Sequence, residues 1–125
     1  MTDDEAIDLG RRAVACKGWR WLPGMLGRWK ARDGWYSPRV GSLSVGPWVK
    51  SPSAHPDLRD PATLGCLLQL VREAWDDEGA SVWRDHRTGQ WCWMAQGTFH
   101  SVHCLGVDGY GTEAEAIVAA LEAAP

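Results

Sequence analysis

Residues 60–75 read DPATLGCLLQLVREAW and predict the central helix of the protein. Asp60 suits the N-cap and Pro61 the first helical position, where the missing N–H of proline costs nothing. Apolar side chains then recur at helical spacing, which predicts one buried face. These side chains are Leu64, Leu67, Leu68, Val71 and Trp75. The pattern predicts a core helix over about residues 61–76 that stops at Gly79.

Acidic residues crowd the end of this helix, where the helix dipole disfavours negative charge. They are Asp76, Asp77 and Glu78. Either their charge has another use or they are simply solvated, and solvation is the favoured interpretation.

Two further helices are indicated by capping boxes, in which a threonine is followed three residues later by a glutamate. Thr2 with Glu5 predicts a helix over about residues 3–17, and Thr112 with Glu115 predicts one over about 112–124. The first has a thin apolar stripe, typical of a helix that covers a sheet with one face. That stripe comprises Ile7, Leu9, Ala13, Val14 and Cys16, and the stripe of the last helix comprises Ala114, Ile117, Val118 and Leu121.

Between the helices the pattern changes to short strands and turns. Residues 27–36, with a turn at Arg32, Asp33 and Gly34, and residues 39–45 predict strands. Residues 80–86, 90–96 and 98–105 predict a β-meander. Residues 51–60 are rich in proline and polar side chains and predict an exposed loop. The element order predicts an α+β fold, in which helices pack on an antiparallel sheet of about five strands.

The chain of 125 residues has the length of a single domain over residues 1–125. Its longest apolar run, LGCLLQLV, is interrupted by Gln69 and is too short to cross a membrane. The first ten residues are acidic where a signal peptide is basic, so a cytosolic location is expected. The cysteines lack C-x-x-C spacing and are expected to be reduced, small hydrophobic residues; they are Cys16, Cys66, Cys92 and Cys104.

Tryptophan content and charge distribution bear most directly on function. The chain has nine tryptophans, more than one small core can hide, which predicts a homodimer or larger homo-oligomer with Trp at an interface or a shared pocket. Residues 11–50 contain nine basic side chains against one acid, a local charge of +8, whereas the remainder carries −11. Five of the nine tryptophans fall in this basic stretch.

Three segments, ACKGWRW, DPATLGCLLQLVREAW and TEAEAIVAALEAA, resemble small hypothetical proteins of bacteriophages and prophages. The arrangement is similar to the phage ABA sandwich domain family, in which helices lie on both faces of an antiparallel sheet. The resemblance covers the three helices and leaves residues 22–57 unaligned. It implies a phage origin, a three-layer fold and a location in the host cytoplasm, and it carries no settled activity.

Metal and catalytic sites are the weaker alternatives. A zinc site would draw on side chains of the meander, but His100 and His103 point to opposite faces of a strand. The candidate ligands are His86, Cys92, His100, His103 and Cys104. Asp85 and His86 beside two arginines could serve acid–base chemistry, although no motif supplies a nucleophile. The chain is therefore expected to be no enzyme and to hold neither a metal nor another cofactor.

The favoured site combines arginines with aromatic side chains in the basic stretch. Arginine forms bidentate contacts with phosphate oxygens, and indoles stack on bases. The predicted ligand-binding residues are Trp19, Arg20, Trp21, Arg28, Trp29, Arg32, Trp35, Tyr36 and Arg39. In the alternative interpretation Trp19, Trp21 and Trp29 belong to the core and the arginines only solvate an edge.

The leading functional hypothesis is a phage counter-defence protein that sequesters a nucleotide-type immune signal of the bacterial host without catalysis. The alternatives are a protein–protein inhibitor of a host defence complex, similar to an anti-CRISPR protein, and a virion or assembly accessory protein. A small anionic nucleotide is preferred over long nucleic acid, because the whole chain carries −3 and duplex binders show a dominant positive field.

Overall fold

The computed structural model describes residues 1–43, 45–100 and 109–125. Its contacts separate into two compact units, an N-terminal unit, Met1–Cys66, and a C-terminal unit, Leu67–Pro125. The described residues form three α-helices and two small antiparallel sheets, which confirms the α+β class. None of the described helices has the length and apolar character that a membrane crossing requires.

The N-terminal unit contains one complete helix and a three-stranded sheet. Strand β1 lies in the centre and pairs antiparallel with β2 on one side and β3 on the other. The turn at Arg32 and Asp33 joins β1 to β2, as the sequence predicts, and Gly34 directly after it adopts a positive φ of 136°. The elements are α1 (Asp3–Val14), β1 (Gly27–Ala31), β2 (Gly34–Tyr36), a 3₁₀ turn (Pro47–Lys50) and β3 (His55–Pro56).

Helix α1 begins with the predicted capping box and ends three residues before its predicted end. The Thr2 side chain accepts the Glu5 N–H and the Glu5 carboxylate accepts the Thr2 N–H. The buried residues are Ala6, Leu9, Gly10 and Ala13, whereas Val14 of the predicted stripe is exposed. A Cβ at Gly10 would lie 2.7 Å from the Pro56 carbonyl oxygen, so only glycine allows α1 to approach β3 this closely.

Residues 51–60, expected as an exposed loop, instead contain β3. Ala54, His55 and Leu58 are buried, and the Asp57 N–H donates to the Leu26 carbonyl at 2.8 Å. Proline is compatible with an edge strand, because such a strand need not donate every N–H to a neighbour. In residues 39–45, also predicted as a strand, the described residues form only an isolated bridge between Leu26 and Arg39.

Helix α2 (Pro61–Ala74) starts where predicted, and the Asp60 carboxylate accepts the Thr63 N–H at 3.0 Å. Its buried face differs from the prediction, because Leu70 is fully buried and Leu64 and Leu68 are only half-buried. The buried face of α2 is therefore rotated about the helix axis relative to the predicted face, toward Leu70 and away from Leu64 and Leu68. The buried residues of this region are Thr63, Leu67, Leu70, Val71 and Trp75.

Two of the acidic residues after α2, Asp76 and Asp77, shape the end of the helix and are not merely solvated. Asp76 leaves the helix in the left-handed conformation with φ 49°, so the chain turns before Gly79. The Asp77 carboxylate accepts the N–H groups of Gly79 and Gln96, at 2.9 and 2.8 Å. These two bonds lower the pKa of Asp77. Asp77 thus joins the end of α2 to the β-meander.

The C-terminal unit is the predicted meander covered by the last helix. Strand β5 lies between β4 and β6, and α3 packs on β4 and β5. Both faces of β5 are buried at its centre, at Cys92 and Trp93, as the sequence predicts. The indole N–H of Trp75 donates to the Ala120 carbonyl at 2.8 Å. The elements are β4 (Ser81–Arg84), β5 (Trp91–Ala95), β6 (Thr98–His100) and α3 (Glu113–Glu122).

The single sheet of about five strands is the main correction to the predicted fold. The strands form two separate three-stranded sheets, β2-β1-β3 and β4-β5-β6. Local alternation predicts that a segment is extended, whereas partner choice depends on long-range packing. The predicted strand segment 101–105 lies outside the described residues.

Candidate functional site

Alternation along β1 divides the predicted site residues between the two faces of the hairpin. Trp29 and Tyr36 are cross-strand partners, and their rings stack with centroids 5.5 Å apart. On the other face the guanidinium carbon of Arg28 lies 5.0 Å from the centroid of the Trp35 ring. The hairpin therefore holds one aromatic stack and one cation–π pair.

A shallow groove of about 660 Å³ lies beside β1 and is open to solvent. We call it the β1 groove. Its lining residues are Trp29, Lys30, Ala31, Arg32, Ser51, Pro52 and Ser53. The Lys30 N–H donates to the Ser53 Oγ at 2.9 Å, and the Oγ atoms of Ser51 and Ser53 lie 3.0 Å apart. These bonds fix both hydroxyls against the strand.

The β1 groove combines two predicted residues with groups that sequence reasoning missed. Trp29 and Arg32 were predicted, whereas Lys30, Ser51 and Ser53 were not. The position of Lys30 between Trp29 and Arg32 was an available signal, but no local pattern indicates that the serines reach β1. The lining offers a flat indole, two exposed cationic side chains and two hydroxyls. Such a set can hold a planar ring and an oxyanion.

Trp19 and Trp21 belong to a different cluster. Their ring centroids lie 5.2 Å apart, and the Trp21 ring meets the Trp48 ring edge-on at 5.0 Å. A side chain at Gly27 would overlap the Trp48 ring, so the indole lies directly on the β1 backbone. All three indoles are half-buried. Trp19 and Trp21 therefore pack against other indoles of the N-terminal unit, outside the β1 groove and outside the fully buried core.

Arg39 forms an ion pair with Asp60. Its guanidinium donates to both carboxylate oxygens of Asp60, at 3.0 and 3.1 Å, and to the Gly24 carbonyl at 2.7 Å. The bond from Arg39 holds the pKa of Asp60 at about 2. Arg20 is exposed and does not line the β1 groove.

The metal candidates do not assemble within the described residues. Cys92 is buried in β5, whereas His86 is exposed in the β4–β5 turn. His103, Cys104 and the side chain of His100 lie outside the described part of the chain. Among the described residues, no three His, Cys, Asp or Glu side chains are grouped so that they could hold a metal ion.

No protein-family model, curated protein or solved structure matches this chain. The resemblance to the phage sandwich family therefore stays a prediction.

Proposed function

We propose that the chain binds a small anionic nucleotide in the β1 groove and releases it chemically unchanged. The observation that supports the proposal is the joint presence of Trp29, Arg32 and Lys30 around one groove, with the Ser51 and Ser53 hydroxyls opposite. A volume of about 660 Å³ is in the range of small-molecule sites.

Each group has a distinct part in the proposed complex. Tyr36 stacks against the Trp29 ring, so the base stacks on the opposite face of that indole. Arg32 donates a bidentate pair of hydrogen bonds to the phosphate, and Lys30 adds a point charge. The serine hydroxyls bond the sugar or a phosphate oxygen. Binding of this kind needs local positive charge only, which is compatible with a net charge of −3.

The proposed biological role is counter-defence in the cytoplasm of a bacterial host. The chain would lower the free concentration of a nucleotide-type immune signal and thereby keep the signal from its receptor. This role rests on the sequence resemblance to phage proteins and on the chemistry of the β1 groove.

A second candidate function is inhibition of a host defence protein by direct contact. Trp35 and Tyr36 are 39% and 44% exposed, and Arg28 lies against the Trp35 ring. Tryptophan, tyrosine and arginine are the residues most enriched at protein-interface hot spots. The same exposed side chains support the proposed homo-oligomer. Light scattering at a protein concentration of tens of micromolar tests this proposal. A monomer at that concentration would contradict it.

Calorimetry with cyclic dinucleotides, cyclic trinucleotides and ADP-ribose derivatives tests the primary proposal. We expect one of these to bind, and Arg32→Ala to weaken that binding by about ten- to a hundredfold, the loss of a charged hydrogen-bonding partner. Trp29→Leu should weaken it by removing the stacking surface. Lys17→Ala, an exposed cation outside the groove, is the matched control and should change nothing.

Two results would overturn the nucleotide proposal. One is the lack of any ligand in the panel with a Kd below about 10 micromolar. The other is a ligand whose affinity is the same in the wild type, Arg32→Ala and Trp29→Leu. A host protein that copurifies with the wild type but not with a Trp35 variant would then favour the second candidate function, inhibition of a host defence protein.

A further inference from the structure

The C-terminal unit is strongly acidic, yet its few cations are concentrated in one turn. Residues 67–125 include nine acidic and three basic side chains, a net charge of −6. Two of the three basic residues, Arg84 and Arg87, lie at the β4–β5 turn, and His86 stands between them. We call residues 84–89 the Arg84 turn. It is a local positive feature in an otherwise negative unit.

Backbone and carboxylate bonds fix the shape of this turn. The Gly89 N–H donates to the Asp85 carbonyl at 2.7 Å, and the Asp85 N–H donates to the Gln90 carbonyl at 2.7 Å. The Asp85 carboxylate accepts the N–H of Arg87 at 2.8 Å and that of Thr88 at 3.4 Å. Asp85 is only 4% exposed, so its negative charge is directed at backbone donors and away from solvent.

The same turn positions one of the guanidinium groups. The Arg84 Nε–H donates to the Gly89 carbonyl at 3.1 Å, which ties the side chain across the turn. A guanidinium carries five N–H donors, so its two Nη groups can still donate to a ligand. An arginine held in this way loses less rotamer freedom when it binds an anion.

A groove of about 290 Å³ lies at this turn, and its lining residues are Trp83, Arg84, Asp85, His86 and Arg87. The lining of this groove therefore includes two arginines, a histidine and a tryptophan. The groove is smaller than the β1 groove and belongs to the other unit. Two arginines in one small groove match the charge and the oxygen geometry of a phosphate group.

We infer that the Arg84 turn is a second binding site, specific for a phosphate group, either free phosphate or the phosphate monoester of a small molecule. Arg84 and Arg87 bind the phosphate oxygens, and the His86 imidazole donates one further hydrogen bond. The buried Asp85 holds the turn in the conformation that brings the two guanidinium groups to the groove. This site is independent of the nucleotide site proposed in the N-terminal unit.

Titration of the full chain with inorganic phosphate at constant ionic strength tests this site by nuclear magnetic resonance. We expect saturable shifts of the Trp83 indole N–H and the Arg84 Nε–H. Arg87→Ala should weaken binding at least about tenfold, because a charge-assisted bond is lost. Arg84→Lys keeps the charge and loses the planar fork, so it should also weaken binding, and it serves as a second variant if Arg87→Ala fails to fold. Lys17→Ala is the control.

A parallel titration with a 5′-mononucleotide identifies the source of the phosphate. Tighter binding than inorganic phosphate, with a larger shift of Trp83, supports a monoester whose base contacts the indole; equal affinity supports free phosphate. Shifts confined to Trp29 would assign binding to the β1 groove and overturn the second site. No saturable shift at the turn, or equal affinity in the wild type and Arg87→Ala, would also overturn it.

Discussion

The carboxylate of Asp60 binds the guanidinium of Arg39 through two hydrogen bonds of 3.0 and 3.1 Å while it caps α2 through the Thr63 N–H. Arg39 also donates to the Gly24 carbonyl. One carboxylate therefore connects the first turn of α2 to two loops of the N-terminal unit. Arg39, which the sequence predicts to bind phosphate, is held in this structure by Asp60 and Gly24.

Acid should weaken the protein through Asp60. The bonds from Arg39 and Thr63 lower its pKa to about 2 from an ordinary 3.8. The folded state then binds fewer protons than the unfolded state over this interval, so the stabilisation is complete above the ordinary pKa and is lost as the pH falls toward about 2. Urea unfolding across this interval measures the effect.

The Asp60→Asn variant separates the charge from the cap, because asparagine caps helices as well as aspartate does. It should lose less stability than the wild type over the same acid interval. Asp60→Ala removes the cap as well and should cost about 0.5 to 2 kcal/mol at neutral pH. An acid loss in Asp60→Asn equal to that of the wild type would contradict the assignment.

The rotated face of α2 predicts unequal effects of two neighbouring leucines. Leu70 is fully buried, and Leu70→Ala should lower the free energy of unfolding by about 2 to 5 kcal/mol through lost transfer energy and the cavity left behind. Leu68 is half-buried, and Leu68→Ala should cost clearly less. Thermal and urea unfolding of both variants measure the two losses of stability. A larger loss of unfolding free energy for Leu68→Ala than for Leu70→Ala would support the buried face expected from the sequence.

Two glycines should respond to alanine in opposite directions. At Gly27 a methyl group would overlap the Trp48 ring, so Gly27→Ala should destabilise the protein by about 1 to 3 kcal/mol through overpacking. At Gly65, on the exposed side of α2, no heavy atom of the described residues lies within 4 Å of an added Cβ. Gly65→Ala should stabilise by about 0.5 to 1 kcal/mol because alanine favours helix. The melting temperature should fall in Gly27→Ala and rise in Gly65→Ala. Tryptophan fluorescence should change only in Gly27→Ala.

His55 should make stability depend on pH near neutrality. Burial lowers its pKa below 6.5, and the nearby Arg28 and Arg11 act in the same direction, whereas the Ser53 carbonyl and Asp57 oppose them. The unfolded chain therefore takes up a proton before the folded chain does, and stability should fall as the pH drops below 6.5. Melting temperatures at stepped pH measure this slope.

The His55→Gln variant should reduce that slope, since glutamine does not titrate. Equal slopes in the wild type and His55→Gln would show that another group causes the pH dependence.

Local signals in the sequence determined the secondary structure to a large extent. The Thr2 and Glu5 capping box, the N-cap at Asp60 and the turn at Arg32 and Asp33 all formed where expected. Each depends on hydrogen bonds or backbone conformations within a few residues, which the sequence encodes directly. The buried stripe of the alanine-rich helix α3 was predictable for the same reason.

Long-range pairing decided the sheets and the candidate site. Trp29 and Arg32 could be chosen from the sequence, but Ser51 and Ser53 reach them only because β3 pairs with β1 at Arg28 and His55. The ion pair of Arg39 with Asp60, 21 residues away, could not be predicted from the sequence. Periodicity reports which side chains share a face, whereas the partner of a face and the ion pair of a charge are set by tertiary packing.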